Sequence, residues 1–241
     1  MNLFTVVIPL RLASKRLKGK PLIKINGLPL FIHIYKRISN KISSTYIATY
    51  DDQIIEECKK NGIPFIKTSE KPRNGSERLA EAVIKAKIKS PIIVDLQGDE
   101  IDADIDLIKG VVKTLVKNNA EVSTAVSYLD KGEVENRDIV KAVMNKNNEC
   151  IFFTRSTIPY KRYKSRLDPS VYKHIGIYCY KRETLLRYIK LNPTYLEESE
   201  SLEQMRLIEN GIKVFGFLSH KSYRKIDNIN ELKKIRGQEK W

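Results

Sequence analysis

The sequence predicts an α/β fold whose central sheet is mostly parallel. Short apolar, β-rich runs alternate with helix-periodic segments from Phe4 to Val126, and the run Pro91 to Leu96 is apolar almost without interruption, as in a strand covered on both faces. The connections between the runs are long enough to carry helices, which parallel neighbours require.

Each element follows from its residues. Phe4 to Ile8 reads as a buried strand ended by Pro9, and Pro29 to Ile38 places apolar residues at helical spacing. Thr45 to Thr49 is the next strand. Asp51 and Asp52 supply an N-cap for a helix carrying Ile54, Ile55 and Cys58, with Gly62 as its stop, and Ile63 to Ile66 follows as a strand. After the polar stretch 67–75, Ser76 to Lys87 sets Leu79, Val83 and Ala86 on one face. Asp104 caps a helix with the stripe Ile105, Ile108, Val111, Val112 and Leu115, and Glu121 to Val126 is a strand.

Beyond Asn136 the rhythm shortens. Ile139 to Met144, Cys150 to Phe153 and Val171 to Tyr180 are β-rich, with a turn-like Asn145 to Asn148 between the first two, and they suggest a smaller β layer. Helical patterns return at Arg182 to Ile189 and Leu202 to Asn210. A strand is expected at Lys213 to Leu218 and a last helix at Asn228 to Ile235. No repeat or linker interrupts the 241 residues, so a single domain is expected, divided near residue 135 into parts 1–135 and 136–241.

Forty-four Lys and Arg against 29 Asp and Glu leave a net charge of +15, which favours anionic partners: nucleotides, acidic sugars or nucleic acid. The cations are scattered rather than gathered in an arm, and no nucleic-acid motif accompanies them, so nucleic acid is not the expected partner. Cys58, Cys150 and Cys179 form neither a disulfide framework nor a zinc knuckle by spacing. The N-terminal apolar run is too short for a signal or membrane helix, so a cytoplasmic protein that does not engage a membrane is expected.

The segment Leu10 to Lys20 holds five cations, one hydroxyl and one glycine in eleven residues. In an open α/β sheet the loop after the first strand lies at the carboxyl edge, where ligands bind, and these cations suit a triphosphate there; a solvated charge run fits the same residues. The spacing matches neither a Walker loop nor a dinucleotide fingerprint. Asn74 to Glu81 (Asn-Gly-Ser-Glu-Arg-Leu-Ala-Glu) is a glycine turn into a helix that Ser76 can cap, and Gln97-Gly98-Asp99-Glu100 follows the central strand, where carboxylates can meet phosphate-bound Mg²⁺ or simply end a strand.

Ile8-Pro9, with Arg11, Ser14, Arg16, Leu17, Gly19, Lys20, Pro21 and Leu22, resembles the opening of the 3-deoxy-manno-octulosonate (Kdo) cytidylyltransferases. The likeness continues in Asn74 to Glu81, in Gln97 to Glu100, in Ser156-Thr157-Ile158-Pro159 after Arg155, in His174-Ile175-Gly176-Ile177-Tyr178, in Leu202-Glu203-Gln204-Met205-Arg206 and in Ile226-Asp227-Asn228. Departures fall at Leu10 (Ala in the family), Lys18 (Pro), Asn74 (Ser), Ser76 (Thr), Ile101 (Pro) and Tyr160 (Trp).

The resemblance implies a Rossmann-like three-layer nucleotidyltransferase fold with a smaller β-rich lobe for dimerisation and sugar binding. It implies transfer of CMP from CTP to Kdo, with Mg²⁺ as cofactor and a homodimer as the assembly. By it, Arg11, Lys20, Asp99 and Asp227 carry catalysis. Arg11, Ser14, Arg16, Lys20, Gly75, Ser76, Arg78 and Gln97 bind the nucleotide, and Asp99 and Asp227 bind the metal. Arg155, His174, Tyr178, Glu203 and Gln204 bind the sugar acid, the arginine through a planar fork suited to a carboxylate. An 8-amino-Kdo or sialic-type acceptor stays open within the class, though Gly19 to Leu22 and Gln97 to Glu100 favour Kdo. From another class, a basic nucleic-acid-binding protein would account for the charge, with an affinity that falls steeply with salt.

Overall fold

The computed structural model describes residues 3–13, 17–130, 132–160, 162–163, 170–226 and 231–232. The chain forms two compact units, Met1–Ile108 with Tyr223–Trp241, and Lys109–Ser222.

In the first unit, β1 (Phe4–Pro9), β4 (Thr45–Thr49), β5 (Phe65–Lys67) and β6 (Ile92–Leu96) form parallel pairs in the order β5-β4-β1-β6. β6 is buried at every position and β1 at all but its first, so both read as uninterrupted apolar runs rather than alternations. Helices α1 (Leu30–Ser39), α2 (Asp52–Lys60) and α3 (Gly75–Lys85) are the crossovers; α2 buries the expected Ile54, Ile55 and Cys58, while α3 buries Leu79 and Val83 with Ala82 and ends before the expected Ala86, which is exposed as its C-cap. Asn74, not Ser76, caps α3, its side chain accepting from the Glu77 N–H at 2.9 Å. From β1 the chain winds outward to β4 and β5, then returns to β6 on the opposite side of β1. The topological switch point, where open α/β sheets open a crevice for ligands, therefore lies between β1 and β6.

One hairpin adds to the expected elements. β2 (Lys24–Ile25) and β3 (Leu28–Pro29) pair antiparallel across Asn26-Gly27, with positive φ of 48° and 82°. Asn-Gly is the dipeptide that a two-residue turn of this kind requires.

The second unit begins within α4 (Ile105–Lys117) and holds β7 (Val122–Ser127), β8 (Lys141–Met144), β9 (Glu149–Thr154), β10 (Val171–Lys181) and β11 (Val214–Ser219). Its strand order is β10-β7-β11-β9-β8, and β8 also pairs with the start of β10. Here the expectation of mostly parallel strands needs correction: only β7 and β11 are parallel, and the other pairs are antiparallel. The short link 145–148 between β8 and β9 cannot carry the crossover that parallel neighbours need.

Helices α5 (Arg182–Tyr188), α6 (Tyr195–Glu200) and α7 (Met205–Glu209) complete the unit. The expected helix over 202–210 begins later, at Met205, and α6 is an addition, although Thr194 and Glu197 form a capping box at its start. The expected helix over 228–235 lies outside the described residues except for Glu231 and Leu232, which are helical.

All three cysteines are buried free thiols. Burial pushes Cys58 and Cys150 up to about 12, helped by the charges of Glu57 and Glu149 respectively, and raises Cys179 as well, so none is a thiolate near neutral pH. Among the described residues no helix is long and apolar enough to cross a membrane.

Candidate active site

In the first unit the switch point is closed by an ion pair. Lys20, in the 3-10 turn Lys20–Leu22 after the basic loop, places Nζ 2.9 Å from Asp99 Oδ2 in the loop after β6. Both side chains are mostly buried, at 14% and 16% exposure. Lys225 approaches the same carboxylate oxygen at 3.5 Å.

The basic loop is anchored from the neighbouring strand, where Asp51, just after β4, accepts the Leu12 N–H at 2.9 Å. Leu10 is buried, and its Cδ2 lies where a Cβ on Gly98 would stand, 2.1 Å away. The larger residue at position 10 thus depends on a glycine at 98. Arg11 is exposed and donates to the Arg73 carbonyl at 3.3 Å. Ser14 and Arg16 lie outside the described residues.

Gly75 and Gln97, two of the predicted nucleotide contacts, meet directly. A Cβ at Gly75 would stand 2.5 Å from Gln97 Nε2, and that amide donates to both oxygens of the fully buried Asp95, at 3.0 and 3.1 Å. Ser76 is fully buried at the start of α3. Arg78 is turned into the protein: 2% exposed, it donates to Thr68 Oγ1 at 2.6 Å and to the Ser69 carbonyl at 3.1 Å, with its guanidinium 4.8 Å from the Tyr50 ring centre. Burial lowers its pKa, opposed by the charges of Tyr50, Asp51 and Glu81.

The C-terminal segment joins this unit through two anchors. Arg224 grips Asp102 with Nε at 2.6 Å, Nη2 at 2.8 Å and its backbone N–H at 3.0 Å, and Ile226 donates its N–H to the Asp99 carbonyl at 3.1 Å. Asp227, the predicted partner of Asp99, lies outside the described residues, but the residue before it is hydrogen-bonded to Asp99 itself. Burial alone would raise the Asp102 carboxyl, yet hydrogen bonds from Arg224 and the charges of Arg224 and Arg37 hold it below its ordinary value.

The second unit gathers the residues predicted for the sugar acid into two groups. Arg155, just beyond β9, donates Nε to the Glu200 carbonyl at 3.1 Å and Nη1 to the carbonyls of Arg137 and Asp138 at 3.3 and 3.4 Å; its backbone N–H meets Glu200 Oε2 at 2.9 Å. Beneath it, the fully buried Lys141 donates to the carbonyls of Asn136, Ile139 and Arg155 at 2.9, 2.8 and 2.7 Å. Burial, then the Arg155 charge, lowers the Lys141 pKa against the pull of Glu200.

On β10, His174 and Tyr178 share a face with ring centres 5.2 Å apart, and Phe153 meets the histidine edge-on at 5.2 Å. His174 Nε2 lies 3.0 Å from Thr124 Oγ1, whose single proton goes to the Ile177 carbonyl at 2.7 Å, so Nε2 is the donor. Glu203 and Gln204 precede α7, and the Glu203 carbonyl accepts the Tyr188 hydroxyl at 3.2 Å. Arg206 secures that stretch: 1% exposed, it makes a two-pronged pair with Glu197 and lies 4.5 Å from the Tyr188 ring centre.

Sequence reasoning missed the site roles of Asp51, Asp95, Lys141, Glu200 and Lys225. Asp51 and Asp95 were accessible from topology, since both sit at the carboxyl ends of strands flanking β1 or the switch point. Lys141 and Lys225 carry no local signal, because only the fold sets them beside Arg155 and Asp99.

A family model described as cytidylyltransferase matches residues 5–221. The 3-deoxy-manno-octulosonate cytidylyltransferase of Fusobacterium nucleatum is 37% identical over 96% of this chain and 95% of its own length. That of Haemophilus influenzae (strain Rd) is 36% identical over 97% of each. A solved structure of CMP:2-keto-3-deoxy-manno-octonic acid synthetase complexed with CTP superposes with a TM-score of 0.87 at 31% identity, covering 97% of this chain and 96% of that one. A cytidylyltransferase from Leptospira borgpetersenii, at 16% identity and a TM-score of 0.64, shares the fold. The chain is a nucleotidyltransferase and belongs to the family of 3-deoxy-manno-octulosonate cytidylyltransferases.

Proposed function

We propose that this enzyme transfers CMP from CTP to Kdo, giving CMP-Kdo and pyrophosphate. The observation that carries the reading is the Lys20 to Asp99 pair at the switch point between β1 and β6, where a cation for phosphate and a carboxylate for metal are held against each other. The full-length likeness to named Kdo cytidylyltransferases supports the choice of nucleotide and acceptor.

In the reaction the anomeric hydroxyl oxygen of the sugar bonds to the α-phosphorus, the bond from that phosphorus to the bridging oxygen breaks, and the hydroxyl proton is lost as pyrophosphate leaves. Arg11 and Lys20 offset the charge that builds on the leaving pyrophosphate, with Ser14 and Arg16 as further nucleotide contacts. Gly75 and Ser76 meet the pyrimidine base, Gln97 is oriented by Asp95, and Arg78 supports that wall through Thr68 and Ser69. Arg155 grips the sugar carboxylate while His174, Tyr178, Glu203 and Gln204 take hydroxyls by hydrogen bonding.

Mg²⁺ fits the donors present. It usually takes one or two carboxylates and completes its shell with phosphate oxygens and water, and Asp99 stands in the loop after β6, at the switch point where a triphosphate would arrive. Asp99 with Asp227 would hold it, and it would supply charge neutralisation on the triphosphate and acidify the attacking hydroxyl.

The test is pyrophosphate release from CTP with Kdo, 8-amino-Kdo or a sialic acid as acceptor. Release with Kdo is expected. Release only with another acid would overturn the acceptor while keeping cytidylyl transfer, and release with none would overturn the reaction.

A further inference from the structure

Lys225 is outside every sequence motif, yet the fold holds it beside Asp99. Its neighbours are both fastened to the loop after β6: Arg224 by three hydrogen bonds to Asp102, and Ile226 by its N–H to the Asp99 carbonyl at 3.1 Å. The backbone at 225 is therefore fixed on both sides, and its Nζ comes to 3.5 Å from Asp99 Oδ2, the oxygen that Lys20 also holds at 2.9 Å. Two ammonium groups thus face one carboxylate oxygen. Lys20 is 14% exposed and Lys225 35%, which leaves the second cation the more open of the two to a ligand arriving from solvent.

We infer that Lys225 is a second triphosphate-binding cation, which passes from Asp99 to the phosphates of CTP when Asp99 takes up the metal. The inference rests on the reading of Asp99 as the metal carboxylate. With the metal held on that carboxylate, the β- and γ-phosphates of the nucleotide come within reach of both ammonium groups, which stand 2.9 and 3.5 Å from its Oδ2. A lysine suits this exchange, being a compact point charge on a flexible stem rather than a planar fork that locks onto one carboxylate.

The test is calorimetric binding of CTP and of CMP, each with Mg²⁺, to the full-length wild type and to Lys225→Met, Lys225→Gln and Lys225→Arg. A partly exposed charge-assisted contact implies that Lys225→Met and Lys225→Gln weaken CTP binding by about three- to tenfold. CMP affinity should stay within about twofold, because it lacks the β- and γ-phosphates, and Lys225→Arg should retain most of the CTP affinity. Unchanged CTP affinity in both neutral variants would overturn the inference while leaving the cytidylyltransferase reading intact, and so would an equal loss for CMP. A wild type that binds no CTP would overturn both.

Discussion

Replacing Gly75 with alanine tests whether the glycine is there to admit Gln97. The new Cβ would stand 2.5 Å from Gln97 Nε2, closer than any stable contact, and a tight 3.1 Å from its Oε1, while the obstructing atoms are the mobile end of a side chain. Gln97 should therefore swing away and lose its two contacts to Asp95, at 3.0 and 3.1 Å. Hydrogen bonds to a charged, buried partner are worth about 1.5 to 3 kcal/mol, and alanine in place of glycine at the start of α3 returns at most about 1 kcal/mol. With that offset the net loss is about 0.5 to 2 kcal/mol, a fall in melting temperature of about 1 to 8 °C for a chain of this size. Denaturant unfolding of the two single variants and the double variant closes the cycle. In a Gln97→Ala background the same glycine substitution should become neutral or stabilising, because the clash is gone. If Gly75→Ala costs as much in the Gln97→Ala background as in the wild type, the contact is not what the glycine serves, and the coupling between the two positions falls with it.

Asp99→Ala should abolish Mg²⁺-dependent pyrophosphate release while far-ultraviolet circular dichroism stays that of the wild type; residual turnover near the wild-type rate would remove Asp99 from the mechanism. Arg155→Ala should raise KM for the sugar acid by at least about tenfold and leave KM for CTP within about twofold, in line with the loss of a charge-assisted pair; an effect confined to CTP would reassign it. The Asp102 carboxyl is held below its ordinary value, so its contribution to stability is fully present above about pH 4 and disappears as pH falls through its lower folded value. Unfolding followed from about pH 6 to about pH 2.5 should show a steeper acid loss in the wild type than in Asp102→Asn, and identical slopes would show that the Arg224 clamp adds no pH dependence.

The parallel half of the fold was legible because its strands are buried on both faces and its helices carry one apolar stripe each; β1, β4, β6, α1 and α4 fall where periodicity places them. The second unit was legible as strands but not as pairings. Its strand directions depend on which short links force a reversal, and β10 pairs with β8 over its first residues and with β7 over most of its length. The hairpin at Asn26-Gly27 and helix α6 had signals in plain view, a turn dipeptide and a capping box, that short length obscured. Among the site residues, those next to a strand end, such as Asp99 and Gln97, could be placed from sequence because topology fixes where strand ends go. Arg78 could not, since a motif names a residue type without saying whether its side chain faces a ligand or its own fold.

The charge excess shows the same distinction. A sum of +15 favours any polyanion, yet several cations that matter most to the structure already answer to groups of the protein: Arg78 to Thr68 and Ser69, Arg206 to Glu197, Arg224 to Asp102, and Lys141 to three carbonyls. These are organising charges, and binding a polyanion would leave their buried acceptors unsatisfied. The cations at the switch point are arranged differently. Lys20 and Lys225 share one carboxylate oxygen, so a ligand that brings its own phosphates and a divalent metal can take over both ammonium groups while the metal takes the carboxylate. A nucleic acid backbone brings single phosphates at intervals along a strand, whereas a nucleoside triphosphate gathers three at one point. On the proposed reading the nucleotide is selected by this local exchange of partners around Asp99, and the net charge of the chain serves to draw anions toward it.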